Sequence, residues 1–384
     1  MDALKLIDII SLGETSTVQF KRTVENNTKL AAEMCAFANS EGGMILFGIE
    51  DDQTISGLDA ASIRDLNSRI ANVATNNIRE PIFPTSEVVK IGEHYVLIVK
   101  IVESQSKPHF DLNGAIWVKN MGDKRRVTSR EELRRIFQDA HVFFADEQPI
   151  SRSTLGDLDM NSFCEFYNNE YNSDLTINDI EPSVLESLNI AHASNLTLAG
   201  LLFYAKTPQK YRPELITKAV AFSNNEATST SYTDSEDIDG TLPQQLAKTI
   251  AFIKRNLLHI QGDQSFNSTG TLEIPEQVLE ELLVNMLIHR NYFISAPHKV
   301  FIHPNRIELI SPGTLTNSLT VEQIKAGNSI PRNPILHSLA SRILPYKGIG
   351  TGIRRALSLY PHIDLLNDTP NNRFVVTLQR QKTQ

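Results

Sequence analysis

Apolar and polar positions alternate along this chain at two periods. Leu30, Met34, Phe37 and Ala38 recur at helical spacing, and Asn39-Ser40-Glu41 then runs into Gly42-Gly43. A helix can end there on a residue at positive φ. Met44 to Ile49 is a compact apolar run that predicts a buried strand, and Glu50-Asp51-Asp52 turns the chain after it. Residues 1–10 read as a short helix or arm, Ala60 to Asn77 as an amphipathic helix, and Arg130 to Asp139 as another helix. Ile82 to Val89 and His94 to Val102 read as a strand pair around Gly92. Pro149, Ser151, Ser153 and Gly156 break any long element between His141 and Leu158, which predicts a linker.

Farther on, Asn161 to Glu170 predicts a helix, while Thr197 to Tyr204 begins like a helix and ends like a core strand. Lys218 to Ser223 predicts a strand, and the acidic stretch from Asn224 to Gly240 a surface hairpin or loop. Leu246, Ile250, Ile253 and Leu257 form one stripe of a helix from Leu242 to Leu258. Ile274-Pro275 opens a helix running to Tyr292. Strands are predicted from Lys299 to His303, from Arg306 into the turn at Gly313, and from Arg373 to Leu378. Residues 347–355, KGIGTGIRR, form a glycine loop that opens a helix.

Composition narrows the class. The chain has 384 residues, 41% apolar and 21% charged, enough for two or three domains with real cores. No stretch approaches the ~18 apolar residues of a membrane helix. The N-terminus lacks a basic region and a small-residue cleavage site, so no signal peptide is expected. Cys35 and Cys164 lie far apart, with no zinc spacing and no disulfide framework, and Cys35 reads as a buried small hydrophobe. Nothing points to zinc, haem or flavin, and a cytoplasmic setting is expected. A net charge of −8 means that any nucleic-acid contact must come from a local patch. Lys119, Lys124, Arg125, Arg126, Arg130, Arg134 and Arg135 supply one against Asp123, Glu131 and Glu132. Clustered cations bind phosphates by releasing counterions. The alternative is a solvated helix start, with Thr128-Ser129 at the N-cap and acidic residues in the first turn.

Glu281, Asn285 and His289 fall at i, i+4 and i+8, on one helix face. A carboxylate and an amide so placed can orient a water and hold Mg²⁺, which prefers oxygen ligands. The alternative is the polar side of an amphipathic helix. The glycines of the 347–355 loop can bring backbone N–H groups near phosphates, or simply make a tight turn.

Taken in order, the early fragments resemble a known domain. They are residues 14–21 (ETSTVQFK), the helix-glycine-strand run, Gly57-Leu58, Tyr95 to Val102, Lys107-Pro108, residues 115–119 (AIWVK) and Gly122. Together they resemble the Schlafen/AlbA-like nucleic-acid-binding domain of bacterial regulator-type proteins, over about the first 140 residues. The later set, with the 281–289 helix, the strand into Gly313, Arg332-Asn333-Pro334 and the glycine loop, resembles the divergent GHKL-type ATPase domain found behind it. The resemblance implies an α/β (α+β) fold, a Schlafen/AlbA-like domain followed by a GHKL-like α/β sandwich. Expected boundaries are 1–140 for the first domain, 141–158 for a linker, 159–268 for a middle segment that connects to or completes the last domain, and 269–384 for that domain. Relatives often add a winged helix, for which the residues after the Arg373 to Leu378 strand leave no room.

The resemblance also implies roles. Glu281 would orient the attacking water of an ATPase, and Asn285 would ligate Mg²⁺. His289 and Gly313 would lie at the nucleotide, and Gly348, Gly350 and Gly352 would form the phosphate lid. ATP and Mg²⁺ are the implied cofactors. Ile310-Ser311-Pro312-Gly313 lacks the aspartate usual for adenine, and Leu315 replaces a second glycine. In a Schlafen-type nuclease, Glu14 and Asp51 would bind the metal, but Gln19 stands where a second glutamate is expected. Lys21, Lys119, Lys124, Arg125, Arg126 and Arg130 would contact nucleic acid, DNA before RNA. The expectation is a DNA-binding transcriptional regulator with an ATP-responsive C-terminal domain, as a homodimer and away from membranes. The enzyme alternatives are a weak ATPase and, behind it, a metal-dependent nuclease.

Overall fold

In the computed structural model, residues 1–104, 106–140, 142–226, 231–260, 270–316 and 319–380 are described. Two expected boundaries, at His141 and Ser268-Thr269, fall outside them, as does the Arg135 side chain of the basic patch. Contacts divide the chain into two compact units, Met1–Val142 and Phe143–Gln384, both of mixed α/β structure. Among the described residues no helix is long and apolar enough to cross a membrane.

The first unit is built on a four-stranded sheet. Its strands run Val18–Lys21, Gly43–Phe47, His94–Ile101, Thr85–Ile91 across the sheet. The first pair is parallel, so the chain needs a crossover, which the Asn27–Asn39 helix supplies. The other pairs are antiparallel. Alternation on the His94–Ile101 strand feeds two cores. Leu97, Val99 and Ile101 meet the Asn27–Asn39 and Ala60–Asn76 helices. Val96 and Ile98 meet Leu6 and Ile10 of the Ala3–Ser11 helix. Cys35 is fully buried in the first of these cores, and burial pushes its thiol up to about 12, so it stays protonated. A short hairpin, Trp117–Asn120 with Asp123–Arg126, packs on the Asn27–Asn39 helix.

The second unit holds a six-stranded sheet in the order Tyr232–Ile238, Thr217–Phe222, His298–Ile302, Arg306–Pro312, Arg373–Gln379, Ile363–Asp368. Only Thr217–Phe222 and His298–Ile302 pair in parallel. The Leu242–Asn256 and Glu276–Ile288 helices fall within that crossover. The Glu276–Ile288 helix packs against the helices Leu242–Asn256, Pro334–Ile343 and Gly352–Leu359 and against the Arg306–Pro312 strand. Its buried residues include Val278, Leu279, Leu282, Leu283 and Leu287. It ends at Ile288, four residues before the expected Tyr292. Asp146 accepts N–H bonds from Ile335 and Leu336 at 2.7 and 3.0 Å, at the start of the Pro334–Ile343 helix. Burial pushes that carboxyl up to about 6.

One expected element is corrected, and the expected hairpin after Lys218 to Ser223 forms. Leu198–Tyr204 is helical throughout, capped by Thr197, whose hydroxyl accepts from the Gly200 N–H at 3.0 Å. All seven of its residues are buried, so its apolar run carries no period with which to separate helix from strand. The acidic stretch contains an edge strand, Tyr232–Ile238. Its Asp234 and Glu236 pair with Arg255 of the neighbouring helix. An edge strand carries such charges because its outer side faces water.

Candidate functional site

The second unit has a pocket beside the Glu276–Ile288 helix. Asn285, Met286 and His289 line one side, Leu309, Ser311 and Gly313 the strand side, and Gly350, Gly352 and Ile353 the loop side. Phe374 and Val376 complete an apolar wall. Most of the wall is apolar and a few polar groups converge on it, which is the usual make-up of a small-ligand site.

Of the expected residues, Asn285, His289, Gly313, Gly350 and Gly352 line this pocket, and Glu281 joins them through Asn285. Asn285 donates from Nδ2 to Glu281 Oε1 at 3.0 Å and to the Glu281 carbonyl at 2.6 Å. Its amide oxygen is then the atom left for a cation. Glu281 is only 6% exposed, and its Oε2 accepts from Arg355 Nη2 at 2.5 Å. His289 caps the helix and faces the pocket. Burial pushes it down to about 4, helped by His337 and Arg332 nearby, so its ring is neutral at pH 7. Gly313 has φ +101, and a Cβ there would sit 2.5 Å from Asn291 Cβ and 2.6 Å from Arg332 Nη1.

The loop glycines differ from one another. Gly350 and Gly352 line the pocket, whereas Gly348 packs on the His337 ring outside its lining. A Cβ on Gly352 would run into the end of the Glu281 side chain, so a larger residue there would need that carboxylate to swing aside. Ser311, at the aspartate-less position, donates to the Met286 carbonyl at 3.3 Å and keeps its lone pairs for a ligand. The backbone N–H of Leu315 donates to Asn367 at 3.0 Å.

Sequence reasoning named Arg332 and the loop that holds Arg355 but gave neither residue a role. Arg332 is 5% exposed, lines the pocket and donates to the Thr314 carbonyl at 2.7 Å. Arg355 sits in the first turns of the Gly352–Leu359 helix. A cation there opposes the helix dipole and needs a partner, which is a signal the sequence did hold.

In the first unit, the expected acidic site is a closed chain of hydrogen bonds. The Phe20 N–H donates to Glu14 Oε1 at 2.7 Å, and Gln19 Nε2 donates to the same oxygen. Lys119 Nζ reaches Gln19 Oε1 and Glu33 Oε1, each at 2.9 Å, and lies 4.7 Å from the Phe37 ring centroid. Lys124 holds the other Glu33 oxygen at 2.7 Å. The Lys119 and Glu33 side chains are 2% and 3% exposed. Asp51 sits on an exposed turn apart from this chain.

Of the expected phosphate contacts, Lys119 is therefore an interior cation, and the correction follows from its burial. Lys124 is tied to Glu33, and Arg125 pairs with Glu132. Arg126 and Arg130 are exposed, and Lys21 is half-buried at the end of its strand.

Two family models match the chain. The one described as "Schlafen, AlbA_2" covers residues 14–128. The one described as "Putative ATP-dependent DNA helicase recG C-terminal", an HATPase-type model, covers residues 296–378. The chain carries a Schlafen/AlbA_2 domain and an HATPase-like domain. Among solved structures it is similar to the DIP2311 protein of Corynebacterium diphtheriae, at 18% identity over 96% of this chain and 65% of that one, with a TM-score of 0.47. It is also similar to the N-terminal domain of a RecG-related protein from Nitrosomonas europaea, at 21% identity over 34% of this chain and 96% of that one, with a TM-score of 0.25. No curated protein matches.

The two domains differ in how they receive their implied ligands. In the HATPase-like domain the residues fit a nucleotide with Mg²⁺. At Gly313, with φ +101, a Cβ would crowd Asn291, so only bare backbone faces the pocket there, and a single amide oxygen suffices because Mg²⁺ takes most of its ligands from water and phosphate. In the Schlafen/AlbA_2 domain the residues do not fit a catalytic metal. An ammonium already neutralises Glu33, and Gln19 spends its carbonyl on that ammonium and its amide on Glu14. Among the described residues, no group of three His, Cys, Asp or Glu could hold a metal ion.

Proposed function

We propose that the chain is a nucleic-acid-binding transcriptional regulator whose HATPase-like domain responds to ATP. The observation that carries the reading is the pairing, in one chain, of a Schlafen/AlbA_2 domain with a pocket that brings Asn285, Gly313, Gly350 and Gly352 together. ATP with Mg²⁺ is the ligand in this reading, with Asn285 on the metal and the loop glycines at the phosphates. A regulator of this kind needs the nucleotide to bind two conformations unequally. The lid over Glu281 is the element such a ligand would move. DNA is preferred to RNA, and the working form is a homodimer in the cytoplasm.

Titrating magnesium–ATP into the protein by calorimetry is expected to give saturable binding that Asn285→Ala abolishes. No heat up to millimolar nucleotide would leave this domain a scaffold.

Binding without cleavage is favoured for the Schlafen/AlbA_2 domain, because its acidic site holds Lys119 in place of a metal. A labelled duplex is expected to bind with a steep salt dependence and to stay intact in Mg²⁺ or Mn²⁺. Arg125→Ala with Arg126→Ala should weaken binding several-fold, since each phosphate contact adds to the salt-sensitive affinity. Unchanged affinity would remove the hairpin from the interface. Metal-dependent cleavage that Glu14→Ala abolishes would instead establish the nuclease.

A further inference from the structure

Glu281 has the position of a water-orienting carboxylate, yet its surroundings keep water away. It is 6% exposed, and Gly352 lies directly against it. Asn285 occupies one carboxylate oxygen at 3.0 Å, and Arg355 the other at 2.5 Å. Arg355 is unlike its partner, for its side chain is 47% exposed against 7% for that of Glu281. The guanidinium therefore reaches inward from the surface, on a helix that opens directly after the glycine loop and packs along the Glu276–Ile288 helix.

We propose that Arg355 reads the terminal phosphate of the bound nucleotide, exchanging Glu281 for it. The proposal rests on the nucleotide reading given above. A guanidinium carries five donors in a rigid fork, suited equally to carboxylate and to phosphate. A terminal phosphate carries more charge than a carboxylate and offers three acceptor oxygens, so it competes successfully for the fork. With Arg355 gone, Glu281 keeps Asn285 on Oε1 and regains Oε2 for a water. The carboxylate is thus released only when a triphosphate is present. A diphosphate reaches less far and leaves the pair closed. Lys at this position would keep the charge but lose the fork.

The test compares magnesium–ADP with a non-hydrolysable magnesium–ATP analogue by calorimetry, in the full chain. The unmodified protein is expected to prefer the triphosphate by about tenfold, the scale of one charge-assisted contact. Arg355→Gln should keep its affinity for the diphosphate and lose the preference, while Arg355→Lys recovers part of it. A melting curve checks that both variants are folded. If both nucleotides bind and Arg355→Gln keeps the full preference, or the unmodified protein has none, Arg355 is only a structural clamp and the proposal fails while the nucleotide site stands. If neither nucleotide binds the unmodified protein, the nucleotide reading fails and takes this proposal with it.

Discussion

Lys119→Met is expected to destabilise the Schlafen/AlbA_2 domain by about 3 kcal/mol, the low end for breaking a buried ion pair. The Lys119 and Glu33 side chains are 2% and 3% exposed, so removing the ammonium leaves a buried carboxylate. Lys124, at 2.7 Å, still reaches its other oxygen, which is why the low end applies. The loss also strips Gln19 Oε1 of its donor. Trp117 is the chain's one tryptophan and donates to Asp111 at 2.9 Å within this domain, so its fluorescence during denaturant unfolding reports the domain alone. Adding Glu33→Leu to Lys119→Met should recover most of the loss, because replacing both partners of a buried pair is often neutral. Gln19→Glu should also destabilise, since a glutamate cannot donate to Glu14. An unchanged midpoint in Lys119→Met would mean that the ammonium is solvated in solution and free for phosphate.

That network explains where the sequence stopped being legible. Residue types and local spacing foretold the elements that form it: the helix of Leu30, Met34 and Phe37, the double glycine and the strand after it. They did not foretell which cations turn inward. Lys119 and Glu33 are 86 residues apart, and only the hairpin's seat on the Asn27–Asn39 helix brings them together. Read locally, Lys119 joins Lys124 and Arg125 as a surface patch. The departure at Gln19 held the clue. A neutral amide that both donates and accepts suits a site bridging a carboxylate and an ammonium better than it suits a metal.

In the HATPase-like domain, the helical spacing of Glu281, Asn285 and His289 pointed to one helix face, and Asn285 and His289 line the pocket. The strand Ile363–Asp368 escaped because DLLND within it has the composition of a turn or helix end. It pairs antiparallel with Arg373–Gln379, and tertiary pairing decides such short edge elements. The role of Arg355 escaped because its partner lies 74 residues earlier in the chain.

Lowering the pH from 7 to 5 is expected to weaken the C-terminal unit, with His289 responsible for about 2 kcal/mol of the fall. Burial holds His289 at about 4 against an ordinary 6.5, so the unfolded chain binds the proton more readily. Its contribution is complete above 6.5 and is lost as the pH falls towards 4. His298, buried and bonded to the Met286 carbonyl, is held well below its ordinary value and acts with the same sign. Asp146 opposes them. Its carboxyl is raised to about 6 by burial, so its contribution is complete below the ordinary carboxylate range and is lost as the pH rises through 6. Between pH 7 and 5 it returns about 1 kcal/mol. Hydrogen exchange of the Glu276–Ile288 amides, followed across this range, separates the groups. His289→Gln should flatten the fall and Asp146→Asn should deepen it. The pocket has a stake in the result, because a protonated His289 would place a second cation beside Arg332. A profile that His289→Gln leaves unchanged would mean that the imidazole is open to water, and the pocket wall around it would then be looser than its packing implies.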